Sequence, residues 1–305
     1  FHSVSAFCNA GFDLLGDSLI RYNRRWQVYG VFCPLIILGG LGFGVLYNLA
    51  NLLFDWLRLL WARRVRGQLF FTGGTPTRMR LQSKIVLSVS AVLIVTGAAT
   101  ILLLEQFSGA ARPARPPDVL GAIFQSVTAR TAGFNTVPIA DLTQSSKLVL
   151  MLLMFIGGSP GSTAGGIKTV TLAVTLTAVV ATLRKRTELE IFQRSIRPVV
   201  LRRAVTIAVL FIAMIFLATM ALTITERSHY PGAFTLLDLA FEVISAVCTV
   251  GLSTGVTPAL TDAGKLIIIA VMLIGRLGPL TLLAVLTFNL KPARYDYPEE
   301  VVIVS

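Results

Sequence analysis

Three stretches of this sequence are equipped for the same chemistry. "FHSVSAFCNAGFD" starts at Phe1, "FQSVTARTAGFNT" at Phe124 and "FEVISAVCTVGLSTG" at Phe241. Each carries a glycine near its end: Gly11, Gly133 and Gly251. With Phe1 set on Phe241, Ser5 meets Ser245, Ala6 meets Ala246, Cys8 meets Cys248 and Gly11 meets Gly251. The middle copy is one residue shorter between its Phe and its Gly. What such a phrase can supply is main-chain oxygen. Glycine adopts φ > 0 without a Cβ clash, so the backbone can turn sharply and present carbonyls inward. A ring of carbonyls can replace the water shell of a monovalent cation such as potassium. Half-length helices ending at that ring would add the partial negative charge of their C-termini. One loop cannot encircle an ion, whereas several around one axis can.

The elements that must position these loops follow from the intervening sequence. The segment from Asp118 to Ala129 is 12 residues long. As a helix it would extend ~18 Å, about half of a ~30 Å hydrocarbon layer. Pro116, Pro117 and Asp118 mark its predicted start, with the acid in the first turn. After each phrase comes a polar stretch (13–27, 135–146, 253–264), then an apolar run with central glycines. Those centres read "GGLGFG" (39–44), "GGSPGSTAGG" (157–166) and "GRLGP" (275–279). Apolar spans are predicted over 28–54, 85–104, 148–156 continuing through a glycine-rich break into 170–183, 204–223 and 266–290. The unit is therefore span, short helix, Gly phrase, span. It recurs about every 120 residues, as duplicated structural units do. The short helix enters the membrane and its chain returns to the same side, a path tolerated where backbone lines a watery cavity. Gly39, Gly40, Gly42 and Gly44 are read instead as allowing close helix packing.

Composition agrees with a membrane protein. Of 305 residues 54% are hydrophobic and only 14% charged, against about a quarter charged in soluble domains. The net charge of +12 is unevenly spread. Arg58, Arg63, Arg64, Arg66, Arg78, Arg80 and Lys84 are assigned to one loop. Arg184, Lys185, Arg186, Arg194, Arg197, Arg202 and Arg203 are assigned to another. This is the positive-inside pattern, which makes both loops cytoplasmic and displaces nucleic-acid binding as the reason for the charge. Arg21, Arg24 and Arg25 depart from it. Cys8, Cys33 and Cys248 form no CxxC pair and are read as packing residues rather than a disulfide or metal site. With only His2 and His229, histidine chemistry has little material.

Two further features lie within the spans. Gly157, Gly158, Pro160, Gly161, Gly165 and Gly166 fall within ten residues. At about 1 kcal/mol per Gly and 3 per Pro in a helix interior, a continuous helix is excluded and a loop at membrane depth is predicted. Ser159, Ser162, Thr163 and Thr169 can satisfy the backbone groups it frees. Ile167 between Gly166 and Lys168 rules out a Walker A phosphate loop. Arg276 lies 11 residues beyond Lys265, ~16 Å along a helix. An arginine at that depth should face the bundle interior or a water-filled cavity. It is read as a barrier cation hydrogen-bonded to loop carbonyls, or as a structural tie between helix and loop. Lys168 either joins it or snorkels to the cytoplasmic surface.

The three phrases and "GGSPGSTAGGIKT" resemble the Trk/Ktr/HKT superfamily of cation transporters, nearest the membrane subunit of bacterial Ktr-type potassium uptake systems. The resemblance extends across nearly the whole chain, including "YPEE" near its end. It implies an all-α polytopic membrane protein with pseudo-fourfold repeats of helix, pore helix, filter loop and helix, three filter repeats being present. Residues 1–60 would be the second repeat without its leading helix, 61–185 the third with the gate loop, and 186–305 the fourth with a C-terminal tail. A first repeat would lie outside this chain, and three walls alone would not conduct. Matched by motif, the filter linings would be Cys8, Asn9, Ala10, Gly11 and Phe12; Arg130, Thr131, Ala132, Gly133 and Phe134; and Cys248, Thr249, Val250, Gly251 and Leu252. Potassium would be held at the filter carbonyls only, with sodium as a second candidate ion and no cofactor. One glycine per phrase, in place of Gly-x-Gly, predicts weaker discrimination against sodium. In the family, glycine at this position accompanies potassium preference. The gate would be Gly157, Gly158, Ser159, Pro160, Gly161, Ser162, Thr163, Gly165 and Gly166, with Lys168 and Arg276. The implied function is potassium uptake across the plasma membrane, by a homodimer seated on a cytosolic ring of nucleotide-binding regulatory subunits. Loops 58–84 and 184–203 and the tail 291–305 are its docking candidates, lipid headgroups being the other role for the basic loops.

Two rival classes are weighed. A membrane-embedded enzyme needs converging polar groups, yet the spans read as nearly free of carboxylates, and Asp238 and Glu242 lie on a short pore-helix stretch. The second is a non-conducting regulatory or structural membrane protein.

Overall fold

The computed structural model describes residues 1–66, 78–107, 117–186, 188–229 and 234–278. The tail, with its docking candidate and "YPEE", lies outside the described residues, as do Pro116 and the end of the run 266–290. Helices dominate: α1 (His2–Phe7), α2 (Cys33–Leu41), α3 (Phe43–Arg66), α4 (Leu81–Phe107), α5 (Val119–Thr128), α6 (Gln144–Phe155), α7 (Thr169–Leu183), α8 (Pro198–His229), α9 (Leu236–Val247) and α10 (Asp262–Leu277). A π-helical turn, Val28–Phe32, leads into α2. A short antiparallel hairpin, β1 (Glu190–Ile191) and β2 (Arg194–Ser195), precedes α8. Both α4 and α8 are long and apolar enough to cross a membrane, and the bent pair on either side of Gly42 makes a third if it is one span. Their outer faces carry exposed Val92, Val95, Leu103, Val209, Ile212, Phe216 and Ile224. In water that would be costly; against lipid it is the favoured arrangement.

The short helices start where the sequence caps them. Asp118 accepts a hydrogen bond from the Gly121 amide (2.7 Å) at the head of α5, and is thus the cap itself rather than an acid within the first turn. Thr235 accepts from the Asp238 amide (3.2 Å) at the head of α9. At the heads of α6 and α10, Thr143 and Thr261 accept from the amides of Ser146 (3.3 Å) and Gly264 (3.1 Å).

Those two threonines also anchor the long helices. Glu105, near the end of α4, accepts from the Thr143 amide and hydroxyl (3.1 and 2.9 Å). Glu226, near the end of α8, accepts from the Thr261 amide (3.2 Å) and hydroxyl (2.7 Å). The carboxylates are 0% and 1% exposed, and Gly264, lacking a side chain, leaves the room Glu226 occupies. Each clamp puts an anion at a helix N-terminus, where the macrodipole favours it. The spans 85–104 and 204–223 hold no carboxylate, in line with expectation, and the two glutamates lie just beyond them. The helices run beyond the apolar stretches 85–104 and 204–223 that marked them, carrying one buried glutamate each.

Successive units lean on one another. The ring of Phe32, before α2, meets that of Phe134 edge-on at 5.7 Å, and Tyr29 meets Phe124 at 6.1 Å. Lys147 on α6 faces Asp238 on α9 at 3.6 Å. The largest core gathers Ile101, Leu150, Met154, Leu222, Phe241 and Leu252; a second gathers Ala6, Ile36, Phe124 and Phe134.

Two expectations need correction. The run 28–54 is not one straight span: Gly42 (φ +81) separates α2 from α3, and the chain bends there by 107°. Close packing explains Gly39, whose added Cβ would strike the Phe7 carbonyl, and Gly42, which lies against Ser159 and the Pro160 carbonyl of a loop rather than against a helix, but not Gly44, which has open space beside it. The basic residues are also less loop-bound than expected. Arg58, Arg63, Arg64 and Arg66 lie on α3, Lys84 on α4, and Arg202 and Arg203 on α8.

Candidate ion filter and gate

The helices α1, α5 and α9 each end at one of the three phrases. Their last turns are extended by backbone bonds into the loops: Ala10 N–H to Ser5 O (2.9 Å), Ala132 N–H to Thr128 O (2.9 Å) and Val250 N–H to Ser245 O (2.8 Å). Beyond them the backbone alternates. Asn9 (φ 48) and Gly11 (φ 70), Thr131 (φ 76) and Gly133 (φ 82), Thr249 (φ 51) and Gly251 (φ 90) are all left-handed. Such φ values are uncommon outside glycine; here they recur two residues before the glycine in every copy. Hydroxyls behind two loops hold them in shape. Ser5 donates to the Phe12 carbonyl (2.9 Å), and Thr128 to the Phe134 carbonyl (2.7 Å).

The structure brings the three glycines together. A Cβ built on Gly11 would stand 2.7 Å from the Ala132 carbonyl and 3.1 Å from Gly133 Cα. One built on Gly133 would stand 2.6 Å from the Val250 carbonyl and 3.5 Å from Gly251 Cα. Three helix C-termini and three turning backbones thus meet at one point, a setting that favours a cation. Cys8, Asn9, Ala10, Gly11 and Phe12 of the first copy and Thr249, Val250, Gly251 and Leu252 of the third line a common cavity of about 580 Å³, with Glu242 and Arg276 also in its wall. Cys248 is buried beside it. Arg130 contributes backbone only: its guanidinium turns away, 3.0 Å from Ser90 Oγ and 3.4 Å from the Gly157 carbonyl.

The segment between α6 and α7 leaves the helix after Phe155 and rejoins it at Thr169. Ile156 and Ile167 pair in parallel at its base, with Gly157 N–H donating to Ile167 O (2.9 Å) and Ile167 N–H to Phe155 O (3.0 Å). On one side the loop grips the bend at Gly42. Ser159 donates through its hydroxyl to the Leu41 carbonyl and through its amide to Gly40 O, while Phe43 N–H donates to Gly161 O (3.1 Å). Thr163 Oγ1 donates to Gly39 O (3.3 Å). On the other side Gly165 lies against the Cys248 carbonyl and the Thr249 side chain, too close for any Cβ. Gly158 and Gly157 are similarly hemmed in by Ala164 and Gly165, and Gly161 and Gly166 have positive φ. Pro160 and Ser162 complete the turn, Ser162 donating to Ser159 O (2.7 Å).

Arg276 reaches this loop from α10. Its guanidinium donates to the Thr163 carbonyl at 2.9 Å. It lines both the cavity beside the Gly phrases and a second one, about 440 Å³, bounded by Ser162, Thr163, Gly165, Gly166, Lys168 and Thr171. Lys168 curls back onto the Ala164 carbonyl at 2.5 Å. Sequence reading did not identify the left-handed Asn9, Thr131 and Thr249, nor Glu105 and Glu226. The latter had a signal, a Glu followed by a Thr at similar spacing in both units.

Residues 1–293 match the TrkH family of proteins, described as cation transport protein. The potassium/sodium uptake protein NtpJ of Enterococcus hirae is 38% identical over 100% of this chain and 63% of its own length. The Ktr system potassium uptake protein B of Bacillus subtilis is 39% identical over 92% of this chain and 58% of its own. Among solved structures, the potassium transporter TrkH from Vibrio parahaemolyticus superposes with a TM-score of 0.67, covering 94% of this chain and 57% of that one at 19% identity. The chain thus spans less than two thirds of the length of these relatives.

Proposed function

Because the chain belongs to the TrkH family of cation transport proteins, we propose that it supplies three walls of a potassium uptake pathway across the plasma membrane. The observation that carries this reading is the meeting of Gly11, Gly133 and Gly251, each at the end of a short helix and each two residues beyond another left-handed residue. Carbonyls of residues 8–12, 130–134 and 248–252 take over from water around the ion. The units 1–60, 61–185 and 186–305 are its building blocks. The relatives' names suggest potassium as the main ion and sodium as a second.

A fourth unit of the same kind closes the ring between the first and third. Equivalent positions support it: Phe12 is 71% exposed, whereas Leu252 is 1%. The loop from Gly157 to Gly166 acts as the gate, held shut by Arg276 on Thr163 and by Ser159 on the α2–α3 bend. Arg276 adds a positive charge that opposes a cation until the loop moves. The assembled transporter is a homodimer on a cytosolic regulatory ring, met through the basic stretches 58–84 and 184–203.

The test is potassium uptake by the complete polypeptide in a bacterium stripped of its own uptake systems. Growth at low potassium, with potassium entering ahead of sodium, is expected. A membrane-inserted protein that carries neither ion would refute the reading and favour a non-conducting structural role.

A further inference from the structure

One position in each phrase stands ahead of the ring-forming residues: the residue after the leading Phe, which is His2, Gln125 or Glu242, the last of them also in the wall of the cavity beside the ring. Glu242 lies on α9 and is 5% exposed. Its Oε1 accepts from Ser253 Oγ (2.7 Å), the Thr254 amide (2.8 Å) and Thr254 Oγ1 (3.0 Å). Its Oε2 accepts from Thr257 Oγ1 (2.6 Å). All four donors belong to the segment that leaves Gly251. In the first copy His2 Nε2 accepts from the Leu14 amide at 3.3 Å. Leu14 and Thr254 are each three residues beyond their glycine. In the middle copy Gln125 is fully buried, and among the described residues neither its amide atoms nor the hydroxyl of Thr136 has a partner.

We propose that Glu242 is a positioning residue for ion discrimination: from α9 it fixes the segment 252–257, and with it the direction of the Val250 and Gly251 carbonyls. This rests on the transport reading above. A carboxylate has about four acceptor sites, two on each oxygen; here three donors converge on Oε1 and one meets Oε2, all from the one segment. Glu242 therefore acts as a brace rather than as a charge that attracts ions to the mouth. Hydrogen bonds to an ionised acceptor are about twice as strong as neutral ones. The third loop is thus braced by a carboxylate on its own helix, the first by the His2 imidazole and the Ser5 hydroxyl, and the pathway is braced unequally around its axis.

The two roles of a carboxylate separate experimentally. Glu242→Gln keeps an acceptor for Ser253 and Thr254, and the Thr257 hydroxyl can turn to accept from its amide. In the complete polypeptide, Glu242→Gln should retain potassium-over-sodium preference within about threefold, while Glu242→Ala should lose tenfold or more, without a salt-dependent change in apparent KM. Equal rises in KM for both variants, vanishing at high ionic strength with preference intact, would overturn the brace in favour of charge attraction. So would full preference in Glu242→Ala. Where Glu242→Ala fails to reach the membrane, Ser253→Ala with Thr257→Val removes two donors and should cost threefold or more in preference; no loss overturns the proposal. Absence of uptake by the parent protein would refute the transport reading itself, and the brace with it.

Discussion

Alanine at the three glycines should be similarly harmful, and the reason lies in what each new methyl group meets. At Gly133 the backbone has φ +82, and the Cβ would stand 2.6 Å from the Val250 carbonyl. A left-handed L-residue costs about 1–2 kcal/mol. The obstacle is backbone, so no side chain can swing aside, and overpacking adds about 1–3 kcal/mol. Gly11 is similar, with its Cβ 2.7 Å from the Ala132 carbonyl. At Gly251 (φ +90) the Cβ would meet Gly133 Cα at an ordinary 3.5 Å, and in the complete polypeptide the proposed fourth unit would set its own carbonyl there, as the second and third copies do for Gly11 and Gly133. The steric cost of about 1–3 kcal/mol falls on carbonyls that would hold the ion. At 1.4 kcal/mol per tenfold it is about 5- to 150-fold. Initial rates of potassium and sodium uptake by the complete polypeptide, normalised to membrane protein, should therefore show Gly11→Ala, Gly133→Ala and Gly251→Ala losing potassium preference alike. A Gly251→Ala variant that keeps its preference while Gly133→Ala loses it would refute the reasoning, because it would mean that no fourth copy closes the ring.

Arg276→Gln should raise basal cation flux several-fold, since it removes the charge beside the loop while leaving an amide able to reach Thr163; unchanged flux in a folded protein would reject the barrier role. Gly42→Ala places a Cβ 2.7 Å from Ser159 Oγ and 2.9 Å from the Pro160 carbonyl at a residue with φ +81, so it should loosen the loop and also raise basal flux, by leakage measured in vesicles. Thr261→Ala removes both a helix cap, worth about 1 kcal/mol, and a hydroxyl donor to a buried carboxylate, worth about 1.5–3 kcal/mol. Its thermal unfolding temperature in detergent should fall, and Thr143→Ala should act in the same direction through Glu105.

Local chemistry in the sequence carried the class and the plan. Apolar runs of membrane length, three phrases about 120 residues apart and a cluster of glycines around Pro160 all act through nearby residues, so they could be read without coordinates. Arg276 was legible for the same reason, since its depth along a helix follows from residue count. Folding alone decided which φ values Asn9, Thr131 and Thr249 adopt: nothing in their side chains demands a left-handed backbone, and the requirement comes from where each short helix ends, since Ala10 and Val250 bond back to Ser5 and Ser245 across the left-handed residue that closes a helix C-terminus. It also turned the Arg130 side chain away from the ring, bent the chain at Gly42 and buried Glu105 and Glu226. An apolar run is taken to stop at its first charge, yet these charges are stabilised by threonines more than 30 residues away. Hydropathy is a sum over neighbours along the chain, whereas the solvation of a carboxylate depends on whatever the fold sets beside it.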